Sequence, residues 1–249
     1  MRIDFETFSE ADIQSVGAWC YAAHPTTEVI CMAYAEGEES PRLWLPGDPL
    51  PDFVRAFEWD PEGGTLHAWN SFFERCIWHL TLEWSEVPLS QWHDTMALSQ
   101  AMSLPRKLES CGSALELSQE KQKNKRGSYL IQRLSKPYRG ERCRDPELLE
   151  EFYEYCQQDV VAEREIGNRL RPLTKKERKV WELDQLINIR GLPIDENSVD
   201  NAINIFDQEY KRLTKRLKEL TGLENPASQK QFLSWAKKNV TKKIENLQQ

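Results

Sequence analysis

The chain has 249 residues, 39% hydrophobic, 10% aromatic and 29% charged, with a formal net charge of -7. That is enough apolar chain for one large or two smaller soluble domains, and no apolar run approaches the ~20 residues of a membrane span. The acidic balance excludes a global positive field for nucleic acid, and six scattered cysteines with no CxxC or close Cys/His pairing exclude a zinc framework and read as reduced cytosolic thiols.

In chain order, Arg2-Ile3-Asp4-Phe5-Glu6-Thr7 comes first. Apolar Ile3 and Phe5 alternate with Asp4 and Glu6, so a strand here sends both carboxylates to one face and the apolar pair into the core. Adjacent carboxylates repel unless a hard divalent cation sits between them, and Mg²⁺ takes oxygen ligands of this kind. The stretch reads as half a metal site. An N-terminus that begins with a strand, and not with a basic-then-apolar signal, implies no export.

Gly17 to Ala23 is a small and aromatic stretch closed by His24-Pro25. Glu28 to Ala35 and Arg42 to Leu45 read as further strands, giving an antiparallel meander. After Gly63-Gly64, Thr65 to Trp69 is a short strand running into Asn70-Ser71-Phe72-Phe73-Glu74, and Phe73, Cys76, Ile77 and Leu80 then recur at helical spacing. Glu74 therefore belongs near the start of a helix that follows a buried strand.

Helices are predicted around Thr95 to Met102, with Asp94 as N-cap, and around Lys107 to Leu117. Between Lys121 and Arg144, nine basic residues (Lys121, Lys123, Lys125, Arg126, Arg133, Lys136, Arg139, Arg142, Arg144) face one acid, Glu141. This is either a solvated loop or a phosphate-contacting flap. Asp145-Pro146 opens the next helix, whose buried face runs through Leu149, Phe152, Cys156, Val160 and Leu170. Tyr155 and Asp159 sit four residues apart on that helix, at the edge of its apolar stripe.

From Arg171-Pro172 the chain turns helical and highly charged. Thr174-Lys175-Lys176-Glu177 is a capping box for a helix that should stop at Gly191. Val199, Ile203, Phe206, Tyr210, Leu213, Leu217 and Leu220 then fall at steps of 4, 3, 4, 3, 4, 3, a seam for another helix. About three heptads favour core or hairpin packing over a coiled-coil oligomer. Gly222 ends that helix, and Asn225 to Ser228 caps a last short one holding Phe232, Leu233 and Trp235. The expected division is 1-171, a strand-containing domain, and 172-249, an all-helical segment.

The order D-x-E (Asp4, Glu6), N-x-x-x-E (Asn70, Glu74), Y-x-x-x-D (Tyr155, Asp159) resembles the three motifs of the proofreading 3′-5′ exonucleases of the ribonuclease H-like fold. The whole chain resembles the N-terminal part of a phage-type family A DNA polymerase, through DFETFSEADI, GAWCYAAHPTTEVICMAYA, HAWNSFFERCIW, YLIQRLSKP, EFYEYCQQDVVAE, VWELDQLINIRGLPID and NPASQKQFLSW. The last two resemble the entry into that family's helical thumb.

The resemblance implies an α/β fold: a ribonuclease H-like mixed sheet flanked by helices, followed by a smaller all-helical segment. It implies that Asp4, Glu6, Glu74 and Asp159 hold two Mg²⁺ ions, with Mn²⁺ able to substitute, at the 3′ end of single-stranded DNA, and that Tyr155 orients the attacking water. The tyrosine, where a sister subclass has histidine, marks the tyrosine subclass. Thr7, Asn70 and Phe73 become substrate-binding candidates, with Phe8, Phe72 and the basic segment as further candidates to grip the strand. The four histidines (His24, His67, His79, His93) show no catalytic spacing and read as structural or surface residues. Glu74 departs from the family pattern, which ends that motif in Asp.

The family layout places polymerase fingers and palm after Gln249. Primer-template DNA and a polymerase domain in the same or a partner chain are therefore expected partners, in the cytoplasm of a bacterium or phage-infected host. Two other readings are an exoribonuclease of the same fold and a catalytically weakened DNA-holding scaffold.

Overall fold

The computed structural model describes residues 1–60, 64–117 and 126–240. Among the described residues five strands form one mixed sheet, in the order β3 (Arg42–Trp44), β2 (Glu28–Ala35), β1 (Arg2–Phe8), β4 (Leu66–Ala68), β5 (Trp92–Asp94). The meander β1-β2-β3 is antiparallel, while β1, β4 and β5 run parallel. This α/β architecture is compatible with the ribonuclease H-like class. It brings the carboxyl ends of three parallel strands to one edge, where open α/β sheets bind ligands.

The period-two pattern of β1 decides what each face of the sheet carries. Ile3 and Phe5 enter a core with Met32, Leu66, Trp78 and Trp92, while Phe8 joins Ile30, Phe152 and Tyr155 on the other side. The β1–β2 pairing steps from Glu6–Cys31 to Thr7–Val29, so Ile30 is the extra residue of a bulge beside the second acid. On the first face lie α1 (Ile13–Ala22), α2 (Asp52–Trp59) and α3 (Phe72–Cys76), the last continuing into a π-helical turn, Ile77–Thr81. The long α7 (Pro146–Gly167) crosses the second face, with Cys156 and Val160 packed on Cys31, Ala33 and Ala35.

The structure also supplies elements between the expected ones. The small and aromatic stretch Gly17 to Ala23 belongs to α1 and its C-terminal cap. Asp12 caps a helix here by accepting from Gln14 N, and Gly17 bends it at φ 76°, a value glycine adopts freely. The basic segment is not one loop, because α6 (Gly127–Leu134) lies within it; Lys121, Lys123 and Lys125 fall outside the described residues. Sequence periodicity had also missed α2 and β5. Between these elements, α4 (Thr95–Ala101) and α5 (Leu108–Ala114) match the expected helices.

The first compact unit is Met1–Arg190, beyond the boundary expected at 171/172. The reason is α8 (Lys175–Arg190). Its capping box forms as expected, with Thr174 N donating to Glu177 Oε2 at 2.7 Å, but its Arg178 also donates to the carbonyls of Trp92 and Leu89 at 2.7 Å each, and Trp181 is buried. The second unit, Gly191–Gln249, contains α9 (Glu196–Thr221) and α10 (Gln229–Asn239). Gly222 ends α9 in the left-handed conformation, and Ser228 caps α10 through Gln231 N. The α9 seam is not packed into a core: no described residue of that helix is buried.

Candidate active site

The strand alternation places Asp4 and Glu6 side by side on the α7 face, and α7 meets them with Asp159. Carboxylate oxygens of these three residues all lie within 4.8 Å of one another. They line a cleft of about 460 Å³ together with Asn70, Phe73, Glu74, Lys107, Ser128 and Tyr155. All four acids of the sequence motifs thus converge, although they arise from β1, α3 and α7.

Glu74 is the most enclosed of the four carboxylates, only 3% exposed, and its Oε2 has no hydrogen-bond partner among the described residues. Burial pushes its carboxyl well above the usual carboxylate range, and the nearby charge of Asp4 pushes it further. An orphaned buried oxygen facing other carboxylates is a donor set that lacks its acceptor. A hard divalent cation fits it: the ligands are all oxygen, and such an ion would relieve both the repulsion and the missing bond.

Tyr155 lies one helical turn before Asp159 and is 1% exposed. Its hydroxyl is held protonated by burial first and by the surrounding charges of Asp159, Glu6 and Asp4, and it bonds to the Asp159 carboxylate. The ring stacks on Phe152, with centroids 5.8 Å apart. The phenol is therefore a fixed proton donor at the cleft wall.

Asn70 adopts φ 63°, a left-handed value that asparagine tolerates better than other side-chain-bearing residues. The turn around it is anchored from below. Asp94, 5% exposed, accepts from Asn70 N at 3.2 Å and Ser71 Oγ at 3.3 Å, and also caps α4 through Ala97 N at 3.1 Å. One buried carboxylate thus aims the segment that carries both Asn70 and Glu74.

The strand-gripping candidates separate. Phe73 lines both the acid cleft and an adjoining groove of about 690 Å³ that shares Phe5, Glu6 and Ile131 with it and continues past Thr7 and Lys136. The Thr7 hydroxyl is 2.8 Å from that of Tyr21, on the face away from the acids. Phe8 is a core residue, with the Arg142 guanidinium 4.5 Å from its ring centre, and Phe72 lines neither the cleft nor this groove. In the basic segment, Arg133 lies 3.8 Å from the centre of the Tyr138 ring.

Three features escaped the sequence reading. Glu163, one turn after Asp159, is buried and paired with Arg2 at 2.7 Å, while Thr95 donates a short hydrogen bond to it. The Cys156 thiol donates to the backbone oxygen and to Oδ2 of Asp4, each at 3.5 Å. Gly127, at the start of α6, abuts the Tyr155 ring. Only the i, i+4 spacing of Asp159 and Glu163 hinted at the first of these; the others join residues remote in sequence.

What the fold and cleft define is a ribonuclease H-compatible α/β protein with a four-carboxylate site at the carboxyl edge of its parallel strands. No family model matches the chain. It is similar to the DNA polymerase of Bacillus phage SP02, with 36% identity over 250 residues that cover 94% of this chain and 38% of that polymerase. The chain is thus related to a phage DNA polymerase and spans well under half of that relative's length. No helix among the described residues is long and apolar enough to cross a membrane.

Proposed function

We propose that the chain is a divalent-metal-dependent 3′-5′ exonuclease that removes nucleotides from the 3′ end of single-stranded DNA, the proofreading part of a family A polymerase. The observation that carries this reading is the convergence of Asp4, Glu6, Glu74 and Asp159 with Tyr155 in one cleft. DNA is favoured over RNA by the similarity to a DNA polymerase.

Asp4, Glu6, Glu74 and Asp159 would hold the metal, with Mg²⁺ the natural choice and Mn²⁺ a substitute. When bound, such ions neutralise charge on the phosphodiester oxygens and lower the pKa of water. The chain's own groups do the rest. Tyr155 keeps its proton and orients a water by hydrogen bonding, with Asp159 fixing the direction of the hydroxyl. Asn70 and Phe73 flank the terminal nucleotide at the cleft mouth, and the groove past Thr7 and Lys136 leads the preceding nucleotides away. Asp94 holds the Asn70 turn in register with the acids.

The test is degradation of a 5′-labelled single-stranded DNA oligonucleotide, beside a matched RNA, with Mg²⁺, Mn²⁺ or EDTA. A metal-dependent ladder shortening from the 3′ end of DNA is expected. Preference for RNA would redirect the reading to an exoribonuclease, and absence of cleavage in both metals would leave a DNA-holding module.

A further inference from the structure

Along β1 the side chains of Arg2, Asp4 and Glu6 leave one face of the sheet at two-residue steps, about 6.6 Å apart. Along α7 Glu163, Asp159 and Tyr155 follow one another at four-residue steps, about 6.0 Å of helix rise each. The two spacings nearly match. Arg2 pairs with Glu163, and one step along Asp4 neighbours Asp159, so strand and helix are in step with an attractive pair set beside a repulsive one.

Arg2 Nη1 donates to both carboxylate oxygens of Glu163 at 2.7 Å, and the two side chains are 15% and 4% exposed. Gly167, one turn further along α7, leaves room for the guanidinium, since a Cβ there would stand 3.1 Å from Arg2 Nη1. Glu163 also accepts from the hydroxyl of Thr95, which is buried and opens α4 directly after Asp94. Asp94 in turn holds Asn70 N and Ser71 Oγ. One chain of charged and polar groups therefore joins β1, α7 and the turn before α3, the three segments that supply the four acids.

We infer that Arg2 and Glu163 are positioning residues for the divalent-ion site, a clasp that sets the register of α7 on β1 so that Asp159 falls beside Asp4. Without an ion, Asp4, Glu6 and Asp159 repel one another, and the repulsion acts to shift α7 away from the strand. A buried, charge-assisted pair one step away opposes it and holds the ligand oxygens at coordinating spacing before the ion arrives. The apolar contacts of Cys156 and Val160 with β2 keep the helix on the sheet, but such contacts are non-directional and tolerate a small shift along it. The inference rests on the metal-dependent reading of the same site.

The experiment is titration calorimetry of the full chain with Mn²⁺ in the absence of DNA, beside cleavage measured across a range of Mn²⁺ concentrations. Asp4→Ala should abolish the binding that is read, which assigns it to the acid site. Glu163→Ala should weaken Mn²⁺ binding about tenfold and raise by the same factor the concentration that half-saturates cleavage. Saturating Mn²⁺ should then restore most of the turnover, with KM for the oligonucleotide unchanged. Glu163→Gln keeps an acceptor oxygen for Thr95 and Arg2 and should recover most of the affinity. Arg2→Met combined with Glu163→Met leaves no charge buried alone and the net charge beside the acids unaltered, so it should stay folded by circular dichroism and still lose the affinity. Variants that melt earlier yet bind Mn²⁺ as the parent chain does would overturn the proposal, and so would a parent chain with no Mn²⁺ site at the acids. The same pattern of Mn²⁺ affinities in a chain that cleaves no DNA would sink the exonuclease reading alone and uphold the clasp.

Discussion

Gly127 packs against the ring of Tyr155 so closely that a methyl group on it would stand 2.1 Å from Cε2 and 2.7 Å from Cζ. Since Tyr155 is buried and bonded to Asp159, the ring cannot yield without disturbing the acid cluster. Gly127→Ala should cost about 1–3 kcal/mol in stability through overpacking. Nuclease activity should fall further than that of Tyr155→Phe, which keeps the ring and loses only the hydroxyl. Chemical denaturation alongside single-turnover cleavage measures both, and a fully active Gly127→Ala would show that the ring position is not critical.

Asp4→Ala and Asp159→Ala should each abolish metal-dependent cleavage; Asp4→Ala should leave the metal-free fold as stable as before or more so, while in Asp159→Ala the relief is offset by the buried Tyr155 hydroxyl that loses its acceptor. Removing one of three carboxylates whose oxygens lie within 4.8 Å of one another relieves their repulsion. Melting temperature in EDTA and cleavage in Mg²⁺ are the two readouts. A variant retaining full activity would remove that acid from the site.

Glu74 should link metal binding to pH. Its carboxyl is raised by burial and by Asp4, so without metal the native state holds a proton that the unfolded chain releases above its ordinary value of 4.5. Its contribution therefore makes metal-free stability fall as pH rises through that range, and makes divalent-ion affinity rise with pH because binding expels the proton. Both slopes should flatten in Glu74→Gln, as read by calorimetry. Glu74→Asp should keep or raise cleavage, and a complete loss would mean that the site is built around the longer side chain.

Asp94 does not line the acid cleft, yet it ties the turn bearing Asn70 and Glu74. Asp94→Ala should lose the α4 cap, worth about 0.5–2 kcal/mol, and lower turnover along with stability. Asp94→Asn keeps the acceptor oxygen that serves Asn70 N and Ala97 N, and should recover most of both. Equal loss in the two variants would point to the charge and not the geometry.

His67 and His93 stack on the central sheet with ring centroids 4.6 Å apart. Burial first, then the Arg2 charge, pushes His67 down to about 3. Between that value and 6.5 the unfolded chain binds a proton that the native state refuses, so stability should fall as pH falls through this window. Thermal melts across it should show a shallower dependence in His67→Asn.

By itself, the sequence determined what short-range chemistry can specify. Alternation in β1 put Asp4 and Glu6 on one face, Asp145-Pro146 and Thr174 to Glu177 started helices, and Gly191, Gly222 and Ser228 marked ends, because caps and pleats act over a few residues. The three acid motifs were legible for the same reason: each is a spacing within one element. The tertiary structure alone decided what joins distant residues. It set Glu163 on Arg2 and Thr95, Cys156 on Asp4, Gly127 under Tyr155 and Asp94 beneath Asn70, and it bound α8 to the sheet unit through Arg178. Periodicity marked the α9 stripe as apolar, but only the folded chain showed that nothing among the described residues covers it. A hydrophobic pattern states that a face needs a partner, and the partner's identity is a matter of long-range packing and charge.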